Sequence, residues 1–421
     1  METLSFEGEF WLPNNPDRKV AGVLNFSQEN GGELSLIGSF SDVSAFLLEG
    51  AQNPGRIIGH SDKNIYTLDQ CFQTYSQFTL RGKRQKFHVG LIIEGAAYAE
   101  DEPLEFDGIG VEVANFLNWA GVSGVTRLIP REGDAEYKLS VRKLEDRTSP
   151  FESGELRIRH GYRTEAKTSR EYTLTQSADV KFSFTSTLTL SKALDFASDL
   201  QDLVAIATDR ASAFKEILLY HPSFATSHGH QNIRLYRQQI AKVEPEKTLA
   251  GDSVAFRFED FGGIEALARW INTCNTYRSH LGRVMATKHQ RRLYLEDRFF
   301  GRAVALESLH RAHTGIAERN YVDRIKDYIA NVEDQFRQLV PIGRFDTWAK
   351  TVKDDRNNIA HHLGRNIHQD QSELYYFGEA VYWLFILNYL KITGVPVAVF
   401  DQIIDNRHFK WTAERMADLL T

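Results

Sequence analysis

The chain has 421 residues and a formal net charge of -6 at pH 7, which predicts two domains and excludes a protein that coats nucleic acid through bulk positive charge. Two cysteines, Cys71 and Cys274, are too few and too far apart for a disulfide framework or a cysteine zinc site. No apolar run approaches the roughly eighteen residues of a membrane helix, and the start lacks the basic and apolar regions of a signal peptide, so a cytoplasmic protein without a membrane partner is expected.

The first 255 residues read as mainly β. Val20, Leu24 and Phe26 share one face of an extended run, and Leu34 and Leu36 begin another after the turn signal Gly31-Gly32. Ile57-Ile58 and Ile65-Tyr66-Thr67-Leu68, across Asp62-Lys63-Asn64, predict a hairpin. Phe182 and Phe184 alternate with Lys181 and Ser183 at the period of a half-buried strand. One helix is expected near residues 194–214, then extended stretches at Ile233–Tyr236 and Val254–Phe258. The pattern predicts an antiparallel sandwich or barrel.

Beyond Phe261-Gly262-Gly263 the pattern becomes helical. Ile264, Leu267, Ala268 and Ile271 recur at helical spacing, as do Leu295, Phe299, Ala303, Leu306 and Leu309. Further helices are expected at Tyr321–Leu339, Asp346–His362, Ser372–Ile392 and Thr412–Leu420, with breaks at Gly343 and Gly394-Val395-Pro396. The expected organisation is therefore α+β, with a β domain over 1–255 and a helical bundle over 256–421. From residue 256 onward there are 23 Lys and Arg against 21 Asp and Glu, leaving 27 against 35 for the first part. The helical domain is thus mildly basic and the β domain acidic.

The most informative segment is Lys353-Asp354-Asp355-Arg356-Asn357-Asn358-Ile359-Ala360-His361-His362. An arginine and a histidine separated by four to six intervening residues decide little by themselves, because Arg81–His88 and Arg283–His289 fit that spacing too. Context separates them: Arg81 and His88 flank a turn-rich β segment, and Arg283 lacks a following amide. Arg356 is followed directly by Asn357 and stands between an amphipathic helix and the most apolar helix of the chain. Asp354 and Asp355 read as helix-surface charges. No His-Glu-x-x-His, Walker A, Gly-x-Gly-x-x-Gly or Gly-x-Ser-x-Gly pattern is present, and His228 and His230 read as a polar turn without metal partners.

The string Arg356-Asn357-x-x-Ala360-His361 between two helices resembles the HEPN ribonuclease superfamily. That resemblance implies RNA cleavage without metal or cofactor, with Arg356, Asn357 and His361 as catalytic residues. Histidine titrates near neutrality and serves as base or acid; arginine grips phosphate oxygens and stabilises developing charge; Asn357 orients the histidine or the phosphate. His362 and Glu307 are further candidates, the latter as an orienting group on the helix Leu295–Leu309. Positions five apart on a helix lie about 140° apart in azimuth, so either a helix begins inside the motif or the site is composite. In HEPN enzymes two protomers face one cleft, which implies at least a homodimer.

The N-terminal part carries a second resemblance. Phe10-Trp11-Leu12-Pro13, Lys19–Phe26, Leu34–Gly38, Ile57-Ile58-Gly59-His60, Ile65–Leu68 and Cys71 resemble the N-terminal domain of ApeA-type proteins of bacterial anti-phage defence, which carry an Apea-like HEPN domain after it. The resemblance implies an abortive-infection ribonuclease acting on host or phage RNA, tRNA included, with a phage-derived trigger at the N-terminal domain. Two other readings stand beside it. One is a non-catalytic HEPN module binding a nucleotide or a partner. The other is a ligand-binding β domain with a helical oligomerisation tail.

Overall fold

The structure, a computed structural model, describes residues 3–40, 53–79, 82–128, 138–168, 170–226, 229–230, 233–241, 254–290, 292–361 and 371–421. The chain divides into two compact units, one formed by Met1–Ala114, Ser153–Ser198 and Ala213–Pro245, the other by Asn115–Glu152, Asp199–Ser212 and Glu246–Thr421. The second unit thus draws two segments from the first 255 residues, and no single cut separates them. Among the described residues no helix is long and apolar enough to cross a membrane.

In the first unit, six antiparallel strands close a barrel: β1 (Thr3–Leu12), β2 (Asn15–Ser27), β3 (Gly31–Ile37), β4 (Gly55–His60), β5 (Ile65–Thr79) and β6 (Gly82–Glu94). The ring runs β1-β2-β3-β6-β5-β4 and returns to β1, where Phe10 pairs with Gly59. Alternation puts Phe10, Leu24, Phe26, Leu34, Leu36, Ile57, Leu68, Phe87 and Val89 into one core. Gly59 is required at the closure, since a Cβ there would lie 2.7 Å from the Phe10 ring. The expected hairpin is present, with Ile57 opposite Leu68 and Ile58 opposite Thr67.

β6 belongs to two assemblies. Its residues 84–89 pair with β3 inside the barrel, whereas 91–94 pair with β11 (Ile233–Arg237). From β11 the sheet continues outward through β10 (Phe214–Tyr220), β7 (Glu105–Val113), β9 (Glu171–Thr189) and β8 (Gly154–Thr168). Arg56, buried on β4, pairs with Asp69 at 3.0 Å and donates to the carbonyls of Ala99 and Glu102. It ties the connection after β6 to the barrel wall.

The second unit contains α2 (Gly263–His289), α3 (Leu295–Thr314), α4 (Tyr321–Asn331), α5 (Phe345–His361), α6 (Gln371–Thr393), α7 (Val397–Asp405) and α8 (Arg407–Leu419). Every residue from Phe377 to Leu390 on α6 is buried, as expected of a helix apolar on all sides at the centre of a bundle. Trp119, on the short helix Phe116–Ala120, sits among Phe116, Phe256, Phe258 and Phe261. Trp119 is a core residue.

The helix expected at 194–214 is α1, Leu190–Ala207. It stops early because Asp209 adopts a left-handed φ of 50°, and Phe214–Tyr220 alternates as a strand instead. Val254–Phe258 forms no strand; Phe258 opens a short helix, Phe258–Phe261. The helix expected at Tyr321–Leu339 breaks at Val332, whose φ of -129° is not helical. α7 was not anticipated.

A buried charge network joins Asp209 to the bundle. Lys288 pairs with Asp209, His408 Nδ1 lies 2.9 Å from the same carboxylate, and Arg302 pairs with Glu379 at 2.7 Å. Burial raises the Asp209 pKa, but Lys288 and His408 outweigh it and hold the carboxyl at about 2. A pKa depressed on folding contributes stability above the unfolded value, and that contribution fades as pH falls through the folded value. Asp209→Asn should therefore lose about 2 kcal/mol of stability at pH 6. Urea unfolding should show the difference from wild type shrinking between pH 4 and pH 2, and a gap that persists at pH 2 would contradict the network.

Candidate active site

α5 is oriented by one apolar stripe. Trp348, Ala349, Val352 and Asp355 are buried at helical spacing, and Trp348 packs edge-on against Phe336 at 5.0 Å. Asp355, read from sequence as a surface charge, is instead on the buried stripe. With the stripe inward, the next residue, Arg356, is half-buried and faces α3 and α4.

Three helices meet at its guanidinium. Nη2 of Arg356 donates to Oε2 of Glu307 on α3 at 2.6 Å. The other oxygen of Glu307 accepts from Arg311 Nη2 at 2.8 Å, one turn further along α3. The guanidinium carbon lies 4.9 Å from the ring centroid of Tyr321 on α4, within cation–π range. Tyr321 donates its hydroxyl to the Ala303 carbonyl at 3.0 Å. Burial pushes the phenol well above its usual pKa, against Arg356, which lowers it, so the ring stays neutral beside the cation. Nη1 of Arg356 donates to Asn357 Oδ1 at 3.3 Å. Among the described residues its buried Nε has no hydrogen-bond partner.

The structure thus brings Arg356, Asn357 and Glu307 together. His361 stands apart: it is exposed in the last turn of α5, and no hydrogen bond from it is formed among the described residues. His362 lies outside the described residues. α5 runs unbroken from Phe345 to His361, so no helix begins inside the motif, and a five-residue step turns Arg356 and His361 about 140° apart. Within one copy of the chain the two side chains point in different directions.

Tyr321 and Arg311 were missed from the sequence. Arg311 had a usable signal, standing four residues after Glu307 on the same helix. Tyr321 had none, because it comes from another helix and reaches the site only through packing.

The family model described as ApeA N-terminal domain 1 matches residues 5–270, well over half of the chain. The match begins within β1, takes in β2 to β11 whole and ends in the opening turns of α2. No curated protein and no solved structure matches significantly.

The Glu307–Arg356 contact should be energetically real, because both groups are substantially screened from water (14% and 27% exposed). A double-mutant cycle of Glu307→Ala and Arg356→Ala, read by denaturant unfolding, should give a coupling of about 1–2 kcal/mol. Additive effects would mean that the pair is incidental.

Proposed function

Because the chain belongs to the ApeA family through its N-terminal region, we propose that it is an anti-phage defence protein whose helical unit cleaves RNA. The reaction class is metal-independent endoribonuclease chemistry of the HEPN type, at a site contributed by two copies of the chain. The observation that carries this reading is the end of α5. There a positioned arginine, an amide bonded to it and an exposed histidine follow one another within six residues.

The steps balance without an outside reagent. His361 accepts the proton of an RNA 2'-hydroxyl as that oxygen attacks the adjacent phosphorus. Arg356 faces the phosphorane, where its charge stabilises the two developing oxyanions. The bond to the 5'-oxygen breaks, and that oxygen takes a proton from a second histidine, His361 of the other copy. The products are a 2',3'-cyclic phosphate and a 5'-hydroxyl end. Glu307 positions Arg356 and is a positioning residue; Asn357 holds the guanidinium edge. The divergence of Arg356 and His361 on one helix supports a composite site, since pairing two copies supplies a histidine from one beside an arginine from the other. RNA of host or phage is the substrate, and the β unit is the part that would receive a phage-derived cue.

A second reading has its own support. Glu307 and Arg311 already meet the charge of Arg356, as in a structural ion network of a non-catalytic module. Deleting residues 1–255 would not separate these readings, since it also removes residues 115–152 and 199–212 from the helical unit.

Point variants do separate them. RNA cleavage in EDTA should fall by about 10²–10⁴-fold in His361→Ala and by about 10²–10³-fold in Arg356→Ala, at equal protein level and equal thermal stability. Co-expressing His361→Ala in excess over wild type should suppress the wild-type activity, because each mixed dimer then lacks one of the two histidines. Cleavage unchanged in both single variants would make the cluster structural. Loss in both single variants, with wild-type activity undiminished by the co-expressed variant, would make the site internal to one copy.

A further inference from the structure

The first unit contains a cleft of about 610 Å³ on the outer face of the barrel, within the roughly 300–1,000 Å³ typical of small-molecule sites. Phe87 and Val89 of β6 point into the barrel core, so alternation turns His88 and Gly90 outward to form its floor. The opposite wall is a stripe on the first turns of α1, Leu190, Ser191, Leu194, Asp195 and Ser198. The packed face of α1 is different, with Ala193, Phe196, Ala197 and Leu200 buried. A helix side that looks onto a sheet is ordinarily apolar; here it carries two hydroxyls and a carboxylate.

The floor is locally strained. Gln70 has a φ of 56° and is the extra residue of a bulge, since Gly55 pairs with Cys71 and Arg56 with Asp69. It lies opposite Gly90, where an added Cβ would come within 2.8 Å of the Gln70 Oε1. A non-glycine residue held at positive φ, over a glycine that leaves room for its side chain, is the kind of local cost found at binding sites.

At the edge of the cleft stands Arg237, the last residue of β11. The other buried or half-buried arginines of this unit have polar partners among the described residues: Arg56 pairs with Asp69, Arg159 with Asp179 and Arg234 with Glu216, and Arg18 donates to the Ser39 carbonyl. Among the described residues the Arg237 guanidinium has neither ion pair nor hydrogen bond. Burial lowers its pKa, and no neighbouring charge offsets that burial. A half-buried, unanswered guanidinium is costly unless something supplies the counter-charge.

We propose that this cleft binds a phosphate monoester with an organic body, its phosphate on Arg237. The guanidinium presents paired donors to phosphate oxygens. Ser191 and Ser198 offer hydroxyls, and Leu91, Leu104 and Leu194 cover an apolar body. Asp69, Gln70 and Asp195 accept from its hydroxyl or amine groups. The site lies wholly in the β unit and does not depend on the ribonuclease reading.

The full chain is titrated calorimetrically with the four nucleoside 5'-monophosphates, ribose 5-phosphate and inorganic phosphate, and melted with and without each. At least one organic phosphate should bind saturably and more tightly than inorganic phosphate. Arg237→Met should weaken that binding at least tenfold. It should also raise the melting temperature of the ligand-free protein by about 2–4 °C, because it removes an uncompensated, half-buried charge. A guanidinium with a structural role would lower it instead. Ser191→Phe, at an exposed position on the cleft wall, should block binding while leaving Arg237 in place. Failure of every organic phosphate to bind at millimolar concentration overturns the proposal, as does inorganic phosphate binding equally well. Binding undiminished in both variants does so too.

Discussion

Glu307 is placed between two guanidinium groups, and the geometry of the candidate site follows from that placement. One oxygen holds Arg311 on its own helix, and the other reaches across to Arg356 on α5. Tyr321 closes the third side from α4. The contact therefore fixes the separation and rotation of three helices at one point. It also keeps a cation half-buried with its charge met rather than exposed. Removing the carboxylate would leave two arginines facing each other, so the constraint is electrostatic as well as steric. The direction in which His361 leaves the same helix is then determined by helical geometry alone.

A comparable constraint organises the β unit. β6 serves as a wall of the closed barrel over half its length and as the root of an open sheet over the rest. Closing a barrel removes exposed strand edges, but a strand that leaves the ring must diverge from its former neighbour. The divergence occurs at Gly90, next to the Gln70 bulge, and the cleft with Arg237 opens there. Strain, bulge and cleft are one consequence of a strand shared between two assemblies.

Much of this was legible in the residues. Alternation located the strands containing Leu24, Leu34 and Phe182, and the turn at Asp62-Lys63-Asn64 set the Ile57–Leu68 register. The long helices were read from their apolar spacing. Closure into a barrel was not legible, because β1 pairs with β4 across more than forty residues and no local pattern encodes that partner. Nor was the end of α1, since Asp209 turns the chain where side-chain periodicity still favours helix. At the candidate site the motif on α5 was visible as a string, and Glu307 was named from its helix. Tyr321 and the burial of Asp355 were not, because both depend on how separate helices pack. Arg237 gave no signal either: what distinguishes it is a missing counter-charge, and a sequence does not display what a residue fails to meet.

The core of the helical unit contains residues from widely separated parts of the chain, and this has a consequence for the order of events at the ribosome. Trp119 leaves the exit tunnel 137 residues before Phe256, one of the rings that enclose it. At synthesis rates of about 5–20 residues per second, that interval is roughly 7–27 s. Asp209 likewise precedes Lys288 and His408, which answer its charge. The β unit needs nothing beyond residue 245 and can form while the rest is still being made. The helical unit cannot be completed until α8 has emerged, so whatever activity it carries waits on that helix.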